Sequence, residues 1–399
     1  MNALNFIFPL IVSDSFLHIT DIHYDPLYSI NSPTKCFLGN TGLGCCHKYD
    51  IPLKNSDKAS KWGDYNCDLS YTFLDSTFKW IKKEFYNSTQ FIIYTGDSAG
   101  HHDFSNSLSV VKKSIRDIHN LFTDYLPNKP VFNNLGNHDT FPIDQTQKYL
   151  YKHLLNYIAD TWSYKLHLSD MADINVRKGG YYSYDIHNST KIISFNSIFY
   201  DKNNIFKNKK NLENDPQILW LQNELLIARL NEQKVWFISH IFPSAGESTK
   251  EYNHVMKKIF YNFKDIIIHQ WWGHSHNDQF IIYRNDNDTS NNYYSCGMIT
   301  PSLMPDKRFP SFRIYDYDPL TFKLIDYTQY YANLTEIILT NNFEFKKQYS
   351  FRELYNLSNI DCKNYYTLYN KIHNGTLYQK YCNQYTPGFK NCVTNNIIT

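Results

Sequence analysis

Short apolar runs alternate with segments of helical period along this chain, and glycine, aspartate, asparagine or histidine cuts off each run. Residues 16–20 read as a buried strand ending in Asp21, Ile22 and His23. Tyr71, Leu74, Phe78, Ile81 and Phe85 are spaced by threes and fours, which predicts an amphipathic helix with that stripe in the core. Residues 91–95 form a second strand that delivers Gly96 and Asp97, with His101 four residues later. Leu108, Val111, Ile115, Ile118 and Leu121 predict a second helix. Residues 130–132 then lead into Leu135, Gly136, Asn137, His138 and Asp139, where glycine is expected to permit a tight turn. Strand, helix, strand is the parallel βαβ pattern, so these strand ends should share one rim. Ligands of open α/β sheets gather at that rim.

The same grammar continues. Residues 140–180 read as mostly helical, closed by Gly179 and Gly180. Residues 182–185 and 191–196 read as an antiparallel pair around a turn carrying Asn188. Asp215 as cap and Pro216 at the first helical position open a helix reaching about Leu230. Residues 235–238 deliver Ser239 and His240, and residues 265–272 deliver Gly273, His274, Ser275 and His276. Strands near 279–284, 294–299, 311–317 and 322–331 complete a mixed sheet, and from about residue 340 the pattern turns helical. No internal repeat or low-complexity linker interrupts it.

Composition narrows the function. The 399 residues hold 40 Lys+Arg against 38 Asp+Glu, which excludes the basic face of a nucleic-acid polymer binder. Residues 1–12 carry an apolar core followed by Ser13 and Ser15, which resembles a secretory signal peptide over residues 1–14. No other apolar run approaches the ~20 residues of a membrane span, so a soluble product is expected. Cys36, Cys45, Cys46 and Cys67 crowd one loop-like segment and predict two disulfides, with three connectivities open. Zinc is the weaker reading there, because adjacent Cys45 and Cys46 lack knuckle spacing. Among the later cysteines a Cys382–Cys392 bridge is expected, which leaves Cys296 and Cys362 free. Sequons stand at Asn87, Asn188, Asn287, Asn333, Asn356 and Asn374.

Asp21, His23, Asp97, Asn137, His240, His274 and His276 all leave strand ends. Each alone reads as a turn or cap; five segments together read as a site. Imidazole nitrogen, carboxylate oxygen and amide oxygen suit borderline-to-hard divalent ions. Seven ligands exceed one tetrahedral ion and fit two ions sharing a carboxylate, as in two-metal phosphoryl-transfer centres. His138 and His101 are suited to proton transfer and phosphate contact beside the metals.

The ordered set Asp21-x-His23, Gly96-Asp97, Gly136-Asn137-His138-Asp139, His240 and Gly273-His274-x-His276 resembles the calcineurin-like metallophosphoesterase superfamily. Residues 19–26, 63–68, His101, Asn196, residues 239–243 and residues 272–276 are similar to the acid sphingomyelinase-like phosphodiesterases. Pro301, Phe312 and Arg313 extend that resemblance over nearly the whole chain from Ser15. It implies an α/β fold of two mixed β-sheets packed as a sandwich flanked by helices, with a small helical disulfide-tied C-terminal extension. It implies two Zn2+ ions: Asp21, His23, Asp97 and His276 around the first, and Asp97, Asn137, His240 and His274 around the second. It further implies that His138, oriented by Asp139, and His101 act on the phosphate and leaving group.

The expected layout is a signal at 1–14, a catalytic domain at 15–335 and a helical subdomain at 336–399. No counterpart of the saposin-like domain of the animal enzymes is expected. The expected activity is cleavage of a phosphodiester or phosphoanhydride, with a sphingomyelin-type lipid or a nucleotide as substrate, by a monomer with transient membrane-surface contact. The expected location is secreted or a lysosome-like vacuolar lumen. A purple acid phosphatase would want a tyrosine ligand just after Gly96-Asp97, where this chain has Ser98-Ala99-Gly100-His101. An inactive secreted binding module is the alternative from another class.

Overall fold

The computed structural model describes residues 13–37, 44–101, 107–166, 168–207, 212–284 and 293–387, without the side chains of 164–166. Residues 1–12 of the expected signal segment, the Asn287 sequon and Cys392 therefore lie outside the described residues, while Asp14, the last residue of that segment, already belongs to the first strand. In chain order come β1 (Asp14–Ile19), α1 (Tyr71–Phe85), β2 (Thr89–Tyr94), α2 (Leu108–Tyr125), β3 (Val131–Asn133), α3 (Lys148–Leu166), α4 (Asp170–Gly179), β4 (Tyr182–His187) and β5 (Thr190–Ser194). There follow α5 (Pro216–Leu230), β6 (Lys234–Ile238), α6 (Lys250–Asn262), β7 (Ile267–Trp272), β8 (Gln279–Arg284), β9 (Tyr293–Ile299), β10 (Ser311–Tyr317) and β11 (Leu324–Tyr331). The last elements are α7 (Leu334–Thr340), β12 (Lys346–Ser350), α8 (Phe351–Tyr355), α9 (Cys362–His373) and α10 (Tyr378–Tyr385).

The strands form two six-stranded sheets, ordered β12-β11-β10-β1-β2-β3 and β4-β5-β6-β7-β9-β8. β1, β2 and β3 are mutually parallel, as are β5, β6, β7 and β9. The four strands expected to complete one sheet divide: β8 and β9 join the second sheet, β10 and β11 the first. The core between the sheets is aromatic, with Phe16, Trp236, Trp271 and Tyr315 buried in one cluster. Such a dry interface is what holds two sheets face to face.

Local chemistry starts the helices. Ser70, Ser107, Ser169 and Thr249 each accept from a backbone N–H of the first turn. Asp215 accepts from Gln217 and Ile218, with Pro216 following as expected. In α1 the buried stripe is Phe73, Leu74, Thr77, Phe78 and Ile81, whereas Tyr71 is 49% exposed. The hydroxyl of tyrosine tolerates that exposed first turn, and Phe73 takes the inward place.

The C-terminal region is the expected helical, disulfide-tied extension, and it also contributes a strand and core side chains. β12, between α7 and α8, pairs with β11 and extends the first sheet. Tyr355, Tyr365, Leu368, Ile372, Tyr381 and Tyr385 share the core cluster of the sheets. Cys36–Cys45 and Cys46–Cys67 are the two early disulfides. Cys296 and Cys362, expected to be free, are joined to each other and tie β9 to α9. Cys382 is also disulfide-bonded.

Candidate metal centre

β1 and β2 end at Ile19 and Tyr94, and β6 and β7 at Ile238 and Trp272, all on one rim. The expected site residues follow these ends. Asp21, His23, Asp97, His274 and His276 have φ of 49°, 44°, 59°, 71° and 58°. Five of the seven candidate ligands thus sit in left-handed backbone, which non-glycine residues rarely adopt and which concentrates at functional sites. Asp21 and His23 consequently meet through a turn, not through strand alternation. Gly136 has an extended φ of −99°. It must be glycine for a different reason from the expected turn: a Cβ there would lie 2.0 Å from Asp97 Oδ1.

Asp97 sits at the centre. Its Oδ1 accepts from the backbone N–H of His138 at 2.8 Å. Its Oδ2 lies 3.4 Å from His23 Nε2 and 3.1 Å from His240 Nε2. Asp21 Oδ1 is 3.4 Å from His276 Nε2, which is 3.0 Å from His23 Nε2. Asn137 Oδ1 is 3.0 Å from both His240 Nε2 and His274 Nδ1. Asp21, His23, Asp97 and His276 form one group whose donor atoms lie within 4.8 Å of one another, and Asp97, His240 and His274 form a second.

The surrounding bonds set which ring nitrogen faces inward. His23 Nδ1 faces Ala99 O at 3.0 Å and His240 Nδ1 faces Thr95 O at 2.7 Å. A carbonyl only accepts, so these Nδ1 atoms carry the hydrogen and each Nε2 turns a lone pair inward. His274 is reversed: Nε2 meets Glu247 Oε2 at 3.2 Å and Nδ1 faces inward. Asn137 donates through Nδ2 to Asp144 Oδ1 at 2.8 Å, which turns its oxygen inward. Lone pairs therefore confront carboxylate and amide oxygens, acceptor against acceptor. That arrangement is stable only around positive charge, and outer partners of this kind are what orient metal ligands. The donor set fits divalent cations.

Protons on His240 and His276 are the alternative source of that positive charge, because the carboxylates hold both imidazoles basic. Burial pushes the Asp97 carboxyl up, but His240, His138 and His23 together hold it well below the usual carboxylate range. Burial lowers His240, yet Asp97 and Asp21 raise it to about 9. His276 is likewise raised to about 9, by Asp21 and Asp306 against burial.

His138 and His101 stand beside these groups. His138 is held down to about 4, first by burial and then by His101, and its Nδ1 donates to Gly100 O at 3.3 Å. The rings of His101 and His138 lie 4.2 Å apart, and His101 stacks on His23 at 4.2 Å. Asp139 does not orient His138. Its carboxylate accepts from the backbone N–H groups of Asp97, Ser98 and Gly136 at 2.8–3.0 Å and ties two strand-end loops together. Burial raises its carboxyl to about 6.

Sequence reasoning missed the outer partners Asp144, Glu247 and Asp306, and gave no role to Asp68 within the 63–68 stretch of the resemblance. Asp68 accepts from both the backbone N–H of His101 at 2.6 Å and its Nδ1 at 2.8 Å. Cys67 beside it is pinned to Cys46, so the disulfide-stapled segment delivers that carboxylate. The Cys67-Asp68 pair was the available signal. Asn196, part of the resemblance, is a structural residue: buried, it donates to Tyr151 Oη and Gly179 O.

Comparison with known proteins agrees with this geometry. Residues 15–278 match the family model of calcineurin-like phosphoesterase, and residues 290–397 that of the acid sphingomyelin phosphodiesterase C-terminal region. The chain is 32% identical over 378 residues to sphingomyelinase phosphodiesterase C of Dictyostelium discoideum, covering 89% of this chain and 81% of that protein. Over 400 residues it is 30% identical to the cyclic GMP-AMP phosphodiesterase of Homo sapiens, covering 95% and 84%. Sphingomyelin phosphodiesterase 2 of Caenorhabditis elegans is 28% identical over 419 residues, covering 96% and 66%. With both family matches on one chain and relatives aligned over most of it, the protein belongs to the acid sphingomyelinase-like phosphodiesterases of the calcineurin-like metallophosphoesterase superfamily, and it is a metal-dependent phosphoric diester hydrolase.

Proposed function

We propose that the chain is an exported two-zinc phosphodiesterase that cleaves a sphingomyelin-type phospholipid. The observation that carries hydrolysis is the convergence of seven side chains, acceptor against acceptor, on two cradles that share Asp97. Asp21, His23, Asp97 and His276 would hold one cation, and Asp97, Asn137, His240 and His274 the other. Bound there, the cations supply Lewis acidity towards phosphate oxygens and lower the pKa of the attacking water.

The remaining work falls to this chain's own residues. His138 is neutral in the resting site; an entering phosphate anion raises its proton affinity, so that its Nε2 donates to a phosphate oxygen. Asp68 fixes the His101 tautomer with the hydrogen on Nδ1, so Nε2 is the nitrogen that exchanges a proton with the leaving oxygen. Asp139 keeps the loops of Asp97 and Asn137 in register.

The lipid substrate draws support from the names of the Dictyostelium and Caenorhabditis relatives. The name of the human relative supports a second reading, a nucleotide phosphodiester. Export draws support from the disulfides and from the exposed sequons Asn87, Asn188, Asn356 and Asn374. Purified protein assayed on sphingomyelin, cyclic GMP-AMP and a chromogenic phosphodiester separates the readings. Release of phosphocholine from sphingomyelin is expected. Cleavage of the cyclic dinucleotide alone would replace the lipid reading, and no turnover on any of the three would favour the binding module.

A further inference from the structure

The segment 201–207 stands on the rim and presents its largest apolar side chains to solvent. Ile205 is 73% exposed and Phe206 51%. This is not a slack loop. Asn204 beneath them is fully buried; it donates to Thr146 Oγ1 at 2.7 Å and Ile198 O at 3.1 Å, and its Oδ1 accepts from the backbone N–H of Phe206 at 3.0 Å. Gln145 clamps the segment from one side, accepting from Ile205 N at 3.0 Å and donating to Asn203 O at 3.1 Å. On the other side the backbone N–H of Lys202 donates to Glu247 O at 3.4 Å.

Both clamps lead directly to the candidate metal centre. Asp144, next to Gln145, accepts from Asn137 Nδ2, and Glu247 meets His274 Nε2. The apolar tip is therefore tied to the rim through two neighbours of the second cradle. Lys202, 48% exposed, and the half-buried Lys207 flank the tip; the Lys202 ammonium lies 3.8 Å from Glu247 Oε2 and donates to Gly246 O, and that of Lys207 donates to Lys202 O. An apolar pair between lysines complements the boundary of a bilayer, where side chains enter the acyl region and ammonium groups stay among anionic headgroups.

We propose that residues 202–207 are an interfacial anchor that docks the catalytic rim on a lipid surface, with Ile205 and Phe206 entering the bilayer and Lys202 and Lys207 exchanging their contacts within the protein for its headgroups. This rests on the lipid reading of the site and assigns the step before hydrolysis, the seating of the enzyme on its substrate's surface.

The test uses the whole protein with Ile205→Ser/Phe206→Ser beside wild type. Co-sedimentation with vesicles of phosphatidylcholine and phosphatidylserine reads docking without any hydrolysis. The chromogenic phosphodiester in free solution reads the site alone. The variant is expected to bind vesicles roughly 10- to 100-fold more weakly, while cleaving the soluble diester at the wild-type rate. Equal vesicle binding by both proteins, or none by wild type, overturns the anchor whatever the substrate. A wild-type dimer that the variant dissociates would assign the patch to a second copy and overturn it too. Tip-dependent vesicle binding without sphingomyelin cleavage supports the anchor and overturns the lipid substrate.

Discussion

Asp278 and Arg313 are buried as deeply as Asp97 and His240, yet the two clusters are built on different terms. Arg313 lies in regular strand β10, pairs with Asp278, donates through Nε to Gln329 Oε1 at 2.9 Å and through Nη1 to Ile299 O at 3.2 Å. Its guanidinium covers the Tyr327 ring at 4.2 Å, and Tyr349 closes the far side of Asp278. There donors meet acceptors. At the candidate metal centre acceptors meet acceptors, on left-handed backbone. Burial of charge is common to both; what marks the reactive cluster is convergence that only added positive charge resolves.

Substitutions should separate the two. His138→Ala is expected to lower turnover by about 10³-fold with metal content and stability retained, read by steady-state kinetics and metal analysis. Arg313→Met should do the opposite. It strands the Asp278 carboxylate in the core and costs about 3–5 kcal/mol in denaturant unfolding, with turnover of the folded fraction unchanged. Loss of turnover without loss of stability in Arg313→Met would erase the distinction.

A smaller effect concerns acid. His269, packed against Trp236 and Trp271 away from the rim, is held down to about 3 by burial, from an ordinary 6.5. The unfolded chain therefore takes up the proton first, and stability is lost as pH falls below about 6.5 and on towards 3. At pH 5 that loss is about 2 kcal/mol, and His269→Phe should remove it from the pH dependence of unfolding. Smallest is Asp68→Asn. It keeps the shape beside His101 but withdraws the charge, so the acid limb of the pH–rate profile should shift while turnover at the optimum falls about tenfold.

The rim was legible because apolar runs end in residues that bind metals, and that signal is local. The amphipathic helices were legible for the same reason. What lay hidden depends on contacts between distant parts of the chain. Asp68 lies 33 residues from His101, and Cys296 lies 66 from Cys362; no periodicity encodes either meeting. β12, with the sequence KKQYS, has too few apolar residues to announce an edge strand. Asp139 follows His138 directly, which invited a role in orienting it, but the short 3-10 turn Asn137–Asp139 points the carboxylate back at the Asp97 loop. The left-handed backbone of the ligands has no sequence signature beyond the Asp and His themselves.

The central claim is that the acceptor-lined cradles are metal sites joined at Asp97. Elemental analysis of the purified protein, wild type beside Asp97→Asn, tests it most directly. The account predicts about two zinc ions per folded wild-type chain and retention of neither in the variant. A folded wild-type protein that cleaves a phosphodiester while holding no metal, or an Asp97→Asn protein that keeps both ions, would contradict it.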